Sequence, residues 1–215
     1  MLKLYYANIS LLDDEQVFQA VLEKVNIQRR EKVLRCKHKQ DQMRSLLAGY
    51  LLRLALEKEG IDYSDTTISI LESGKPVIVD NSNLFFSLSH AGDYAACLIS
   101  NHNIGVDIET KTKSLFMDGK EEKLQAVVEK ILTPKERIEF SAKNQEEKVE
   151  YFLRTWTRKE CYSKADGRGL SIGLEQIETE SESFFSKWLD ESTMISVFVE
   201  NNNFSDLQIE EIACL

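Results

Sequence analysis

The segment Gln42-Met43-Arg44-Ser45-Leu46-Leu47-Ala48-Gly49-Tyr50-Leu51-Leu52-Arg53-Leu54-Ala55-Leu56 is apolar around most of its circumference. As a helix it must be packed centrally, enclosed by other elements. The chain has the material to do so, since 42% of its 215 residues are hydrophobic, enough to bury the core of one large domain or two small ones. A formal net charge of −9 argues against a general nucleic-acid binder, which would carry a basic face. No run approaches transmembrane length, and Met1-Leu2-Lys3-Leu4-Tyr5-Tyr6-Ala7 alternates where a signal peptide would be continuously apolar. Cys36, Cys97, Cys161 and Cys214 show no paired or zinc-type spacing, as expected of reduced thiols in the cytosol. The expectation is a cytoplasmic protein that engages neither membrane nor nucleic acid.

Residues 1 to 10 read as a strand. Asp13 to Val25 reads as a helix, with Val17, Phe18, Val21, Leu22 and Val25 recurring at spacings of three and four. Gly60 ends the central helix, and Thr67-Ile68-Ser69-Ile70-Leu71 resumes a period of two. Glu72-Ser73-Gly74-Lys75-Pro76-Val77-Ile78 is a turn entering a strand, and Leu84 to Ile99 forms two strands joined at a polar corner. Leu124 to Ile131 is helical. Thr133-Pro134-Lys135-Glu136 has the cap, proline and glutamate of a helix start. A long amphipathic helix covers Glu146 to Lys164, with Tyr151, Phe152, Thr155 and Trp156 inward and Gly167 or Gly169 as its stop. Ile172 to Ile177 and Met194 to Val199 read as strands, with a turn at Asn201-Asn202-Asn203.

The order of helix, glycine-bearing turn, strand pair and carboxylate-rich end occurs in residues 41 to 109 and more loosely in 147 to 211. This suggests an α+β fold of two pseudo-symmetric halves, divided as residues 1–102 and 103–215. Each would be a small, largely antiparallel sheet packed on a long helix, with the ligand site in the cleft between them.

Chemistry concentrates in a few places. In the strand Gly105-Val106-Asp107-Ile108-Glu109 the two acids face one side while Val106 and Ile108 face a core. Paired carboxylates repel, and a hard divalent cation bridging to phosphate relieves the repulsion, with Glu160 placed to complete the site. The basic run Arg29 to Lys39 is either a solvated helix face or a local anion site. Arg44 is either an ordinary surface arginine or one facing an anion near a helix start. His90 lies at the corner of a strand pair, where a lone histidine is most often a structural hydrogen-bonder. Leu115-Phe116-Met117 is an apolar triplet among charges, either locally packed or a surface for a partner.

Taken together, Gly74-Lys75-Pro76, Phe86-Ser87-Leu88-Ser89-His90, Gly105-Val106-Asp107-Ile108-Glu109 and Trp156-Thr157-Arg158-Lys159-Glu160 with Lys164 resemble the 4′-phosphopantetheinyl transferases of the longer, surfactin-synthetase-activating type. The resemblance covers residues from about 29 to 170. It implies transfer of the phosphopantetheine arm of coenzyme A to a serine of an apo acyl or peptidyl carrier protein, in fatty acid, polyketide or nonribosomal peptide synthesis. Adenosine 3′,5′-bisphosphate would be released. By the same resemblance Asp107, Glu109 and Glu160 would hold magnesium, Lys164 and His90 would contact the phosphates, and Glu160 would serve as a possible base. Arg29, Lys32 and Arg44 would surround the 3′-phosphate, and Gly74, Lys75 and Ser89 would line the nucleotide site. Trp156 would be a packing anchor, and Gly167 and Gly169 a helix stop with no phosphate-cradling role. The working unit would be a monomer, a pseudo-dimer within one chain. Two other readings share parts of this pattern: a carrier- or coenzyme A-binding module without turnover, and a magnesium-dependent nucleotide pyrophosphohydrolase.

Overall fold

The computed structural model describes residues 1–111, 120–200 and 204–215. Two sheets pack face to face, each with a long helix on its outer side. The first sheet has the order β4 (Phe85–Ala91), β5 (Tyr94–Ser100), β1 (Leu2–Asn8), β9 (Leu207–Glu211). Its pairs are antiparallel except β9, which runs parallel to β1. The second sheet has the order β6 (Ile104–Thr110), β8 (Thr193–Val199), β7 (Phe184–Trp188), antiparallel throughout. A separate hairpin pairs β2 (Ile68–Ile70) with β3 (Pro76–Ile78).

Strand alternation sorts the side chains into layers. Leu2, Leu4 and Tyr6 of β1 and Ala96 and Leu98 of β5 meet Ile104, Val106 and Ile108 of β6 and Ile195, Val197 and Val199 of β8 in one dry core between the sheets. The opposite face of the first sheet, with Tyr5, Ala7, Ala95, Cys97 and Ile99, packs on helix α3 (Lys39–Lys58) and on the smaller helices α1 (Glu15–Lys24) and α2 (Ile27–Arg35). As its composition predicts, α3 is enclosed, with Leu46, Leu47, Leu51, Leu52 and Leu56 fully buried.

The outer face of the second sheet carries α6 (Gln145–Asp166). It is not the amphipathic helix expected. Tyr151, Leu153, Thr155, Thr157, Lys159, Cys161, Ser163 and Ala165 are all buried, and none of the residues between them is exposed. α6 is thus central to its half, as α3 is to the other. Thr157 Oγ1 meets Ser196 Oγ of β8 at 2.7 Å, fixing the helix on the sheet. The start of α5 (Pro134–Ser141) is the expected capping box, preceded by α4 (Glu121–Ile131).

Three expectations change. Ile172 to Ile177 is not a strand but two short 3₁₀ turns, Gly169–Ile172 and Leu174–Gln176. Its carbonyls at Leu174 and Ile177 are taken by the Lys159 ammonium, 2.8 Å from each, and not by a neighbouring strand. β7, rich in aromatic residues, was not expected as a strand. The terminal carboxylate-rich segment, matched in sequence to residues 105 to 109, pairs with β1 in the first sheet, whereas β6 opens the second sheet. The Leu115-Phe116-Met117 triplet and the turn at 201–203 lie outside the described residues. Among the described residues no helix is long and apolar enough to cross a membrane.

Candidate active site

The two sheets approach at β4 and β6 without a backbone ladder between these strands. Serine hydroxyls bridge them instead: Ser87 Oγ accepts from Val106 N–H and Ser89 Oγ from Ile108 N–H, both at 3.1 Å. This turns Asp107 and Glu109 away from the inter-sheet core and toward α6. Gly105 permits the close approach of α6 to β6, because a Cβ there would lie 1.8 Å from the Cys161 carbonyl oxygen.

That contact brings Glu160 and Lys164, one turn apart, opposite the strand acids. Lys164 Nζ donates to Asp107 Oδ1 at 2.7 Å and to Ser89 Oγ at 2.9 Å. Trp156 does more than pack, since its indole N–H donates to Glu109 Oε1 at 3.3 Å. The three carboxylates disfavour one another's charge. Burial and the neighbouring Asp107 and Glu109 push Glu160 up to about 7, against the pull of Lys164. Burial also raises Asp107, which is 4% exposed, and burial and then Asp107 raise Glu109.

Lys159 took no part in the sequence reading beyond its motif. It is fully buried and ion-paired at 2.7 Å with Glu136, itself 1% exposed. Glu136 also accepts from Thr133 N–H and Thr179 Oγ1. A buried pair with its remaining bonding capacity filled this way fixes the rotation of α6, and with it the direction of Glu160.

Across a cleft of about 670 Å³ stand the cations of α2, Arg29 and Lys32, with His90 of β4 and the hairpin residues Gly74 and Lys75. The volume suits a small-molecule ligand. Arg29, Lys32, Gly74, Lys75, Ser89, His90, Asp107, Glu109, Glu160 and Lys164 all line it, as do Gly167 and Gly169. Arg44 is apart from that lining: its guanidinium donates to the Gly92 carbonyl at 2.6 Å and pairs with Asp41 at 2.5 Å. Lys75 donates to the Ala165 carbonyl at 2.5 Å and to Asn103 Oδ1 at 2.9 Å, tying the hairpin to the end of α6. Burial, then the cations Lys164, Lys32 and Arg44, depress His90 to about 4, although the residue keeps an exposed surface and lines the cleft. Burial, then Arg29, lowers Lys32. Gly167, at φ +86°, terminates α6 as expected.

Among the described residues no three His, Cys, Asp or Glu side chains stand close enough to hold a metal ion as they lie. Among the described residues Lys164 is the cation paired with Asp107, at 2.7 Å. The donor set nevertheless fits a hard divalent cation in kind, with three carboxylates supplying oxygen alone. Asp107 Oδ2 is buried without a hydrogen-bond partner, a state that a bound cation would relieve.

Residues 103–211 match the profile described as the 4′-phosphopantetheinyl transferase superfamily. The chain belongs to this superfamily. Residues 13–102 match a second profile, 4′-phosphopantetheinyl transferase, N-terminal. The 4′-phosphopantetheinyl transferase Sfp of Bacillus subtilis (strain 168) is 33% identical over 152 residues, 70% of this chain and 64% of that relative. The transferase ffp of Bacillus subtilis is 32% identical over 80% of this chain and 70% of its own. The transferase gsp of Aneurinibacillus migulanus is 27% identical over 98% of this chain and 81% of its own. The chain therefore spans somewhat less than two thirds of the first of these phosphopantetheinyl transferases and more of the others.

Proposed function

We propose that this chain transfers the 4′-phosphopantetheine arm of coenzyme A to a serine hydroxyl of an apo acyl or peptidyl carrier protein. The observation that carries this reading is one cleft in which Asp107, Glu109 and Glu160 face the basic side of α2, in a chain of this superfamily. The serine oxygen attacks the β-phosphorus of the pyrophosphate. The bond to the bridging oxygen breaks, and adenosine 3′,5′-bisphosphate leaves with the electron pair.

Asp107, Glu109 and Glu160 would hold magnesium, which when bound supplies charge neutralisation for the pyrophosphate. Glu160, at about 7, is suited to accept the serine proton directly or through water near neutral pH. Lys164 and His90 flank the pyrophosphate. His90 is neutral at such pH, so it binds phosphate as an N–H donor. Arg29 and Lys32 receive the 3′-phosphate, where the guanidinium fork of Arg29 can donate twice. Gly74, Lys75 and Ser89 complete the nucleotide wall, and Arg44 acts on His90 through its charge from beyond the lining.

We take residues 1–102 as the nucleotide side and residues 103–215 as the carboxylate side. One chain supplies both walls of the cleft, which supports a monomer as the working unit. Four free cysteines support a cytoplasmic setting. The test incubates purified protein with coenzyme A, magnesium and a panel of apo carriers from fatty acid, polyketide and peptide synthesis. A phosphopantetheine mass increase on one carrier serine, with release of adenosine 3′,5′-bisphosphate, is expected. No mass increase on any carrier would sink the proposal.

A further inference from the structure

The cations of α2 and α3 are unequally engaged. Arg35 pairs with Glu31, Arg44 with Asp41 and Arg53 with Glu57. Arg29 and Lys32, one turn apart on α2 and both lining the cleft, make no ion pair among the described residues. The Arg29 guanidinium has a long contact instead, from Nη1 to the Ser45 carbonyl at 3.5 Å. Burial disfavours its charge, and a cation held this way without a counter-charge is costly until an anion arrives.

The course of Arg29 into the cleft depends on a glycine. Asn26 Oδ1 accepts from the Arg29 N–H at 2.9 Å and fixes its backbone in the first turn of α2. From there the side chain lies flat across α3. A Cβ at Gly49 would stand 2.6 Å from Arg29 Cγ and 2.8 Å from both Cδ and Nε. Gly49 is buried within α3, where alanine would be the better helix former. The space left by its missing methyl group is filled by three successive atoms of the Arg29 stem. The obstacle begins at Cγ, near the root of the side chain, so swinging the tip aside gives no relief. An added methyl would turn the guanidinium off its course past Ala48, which lines the cleft.

We propose that Gly49 is a positioning residue: by letting the Arg29 stem lie against α3, it sets the guanidinium where the 3′-phosphate of coenzyme A docks and so favours the 3′-phosphorylated nucleotide. This rests on the reading of Arg29 as a 3′-phosphate group and adds the residue that places it.

Calorimetry on the purified full chain, with magnesium present, compares coenzyme A with 3′-dephospho-coenzyme A. The unaltered protein is expected to bind coenzyme A more tightly by ~10-fold or more, and Arg29→Ala to lose most of that preference. Gly49→Ala is expected to weaken coenzyme A binding ~5–30-fold while changing affinity for the dephospho form by no more than about twofold. In the double variant, Gly49→Ala should add nothing to Arg29→Ala, because the stem it displaces is gone. A Gly49→Ala protein that keeps the full preference, or weakens both nucleotides alike, would overturn the inference alone, as would a further loss in the double variant. If Gly49→Ala does not fold, the double variant decides: its folding supports the contact with Arg29, and its failure to fold rejects it. Equal affinity of the unaltered protein for the two nucleotides, or an undiminished preference in Arg29→Ala, would overturn the 3′-phosphate reading beneath, and the inference with it.

Discussion

In the proposed reaction Glu160 would meet two demands on one carboxylate, binding a cation and accepting a proton. Burial and the repulsion of Asp107 and Glu109 bring it to about 7, in the range of a proton acceptor near neutrality, and a bound cation would pull it down. Glu160→Gln preserves size and removes the charge. Carrier modification should fall by about 100-fold or more, while calorimetry still detects coenzyme A binding; wild-type turnover in this variant would remove Glu160 from both roles. His90 makes a separate prediction. Its folded pKa, about 4, lies below the ordinary imidazole value of about 6.5, so the unfolded chain takes up the proton first. The stability contributed by the neutral ring is complete above about 6.5 and is lost as pH falls toward 4, with the exposure of the residue keeping the effect small. An NMR titration of the imidazole should show a midpoint near 4, and a midpoint at the ordinary value would contradict this account of its surroundings.

Helix α6 is located by one close contact and one buried ion pair. The contact is Gly105, where a Cβ would collide with the Cys161 carbonyl oxygen at 1.8 Å. Because the obstacle is backbone, relief requires moving the helix. Gly105→Ala should therefore destabilise the fold by about 1–3 kcal/mol and impair transfer further than the stability loss explains, as thermal melts and kinetics on the folded fraction would show. Unchanged melting and turnover would mean that α6 is free to shift. The ion pair is Lys159 with Glu136. Lys159→Met leaves Glu136 charged and buried and opens the carbonyls of Leu174 and Ile177, at a cost of about 3–5 kcal/mol. Urea unfolding measures this, and a loss under about 1 kcal/mol would show that the pair behaves as a surface one.

Across the whole molecule, four layers run α3, first sheet, second sheet, α6, and the cleft opens where β4 passes β6. The last strand, β9, covers the edge of β1 in the first sheet, and Ile212 is buried beyond it. Deleting residues 207–215 would uncover a strand edge. Lower melting temperature and self-association are expected in light scattering and thermal scans, and a monodisperse protein with unchanged melting would show that β9 contributes little.

Much of this was legible in the order of residues, because local rules govern it. The apolar circumference of Gln42 to Leu56 required a central helix. The alternation of residues 105 to 109 set two acids against two core residues, and Thr133 with Glu136 marked a helix start. The motifs around His90, Asp107 and Glu160 indicated which residues to watch. What the tertiary structure alone decided were relations between segments distant in the chain. These include the lie of Arg29 across Gly49, the N–H of Trp156 on Glu109, the engagement of Arg44 by Asp41 and Gly92, and the membership of β9 in the first sheet. Lys159 shows the reason most plainly. In sequence it is a charge among charges, named only as part of its motif. It is buried because Glu136 and two carbonyls converge on it from other elements, and no spacing along the chain encodes that convergence.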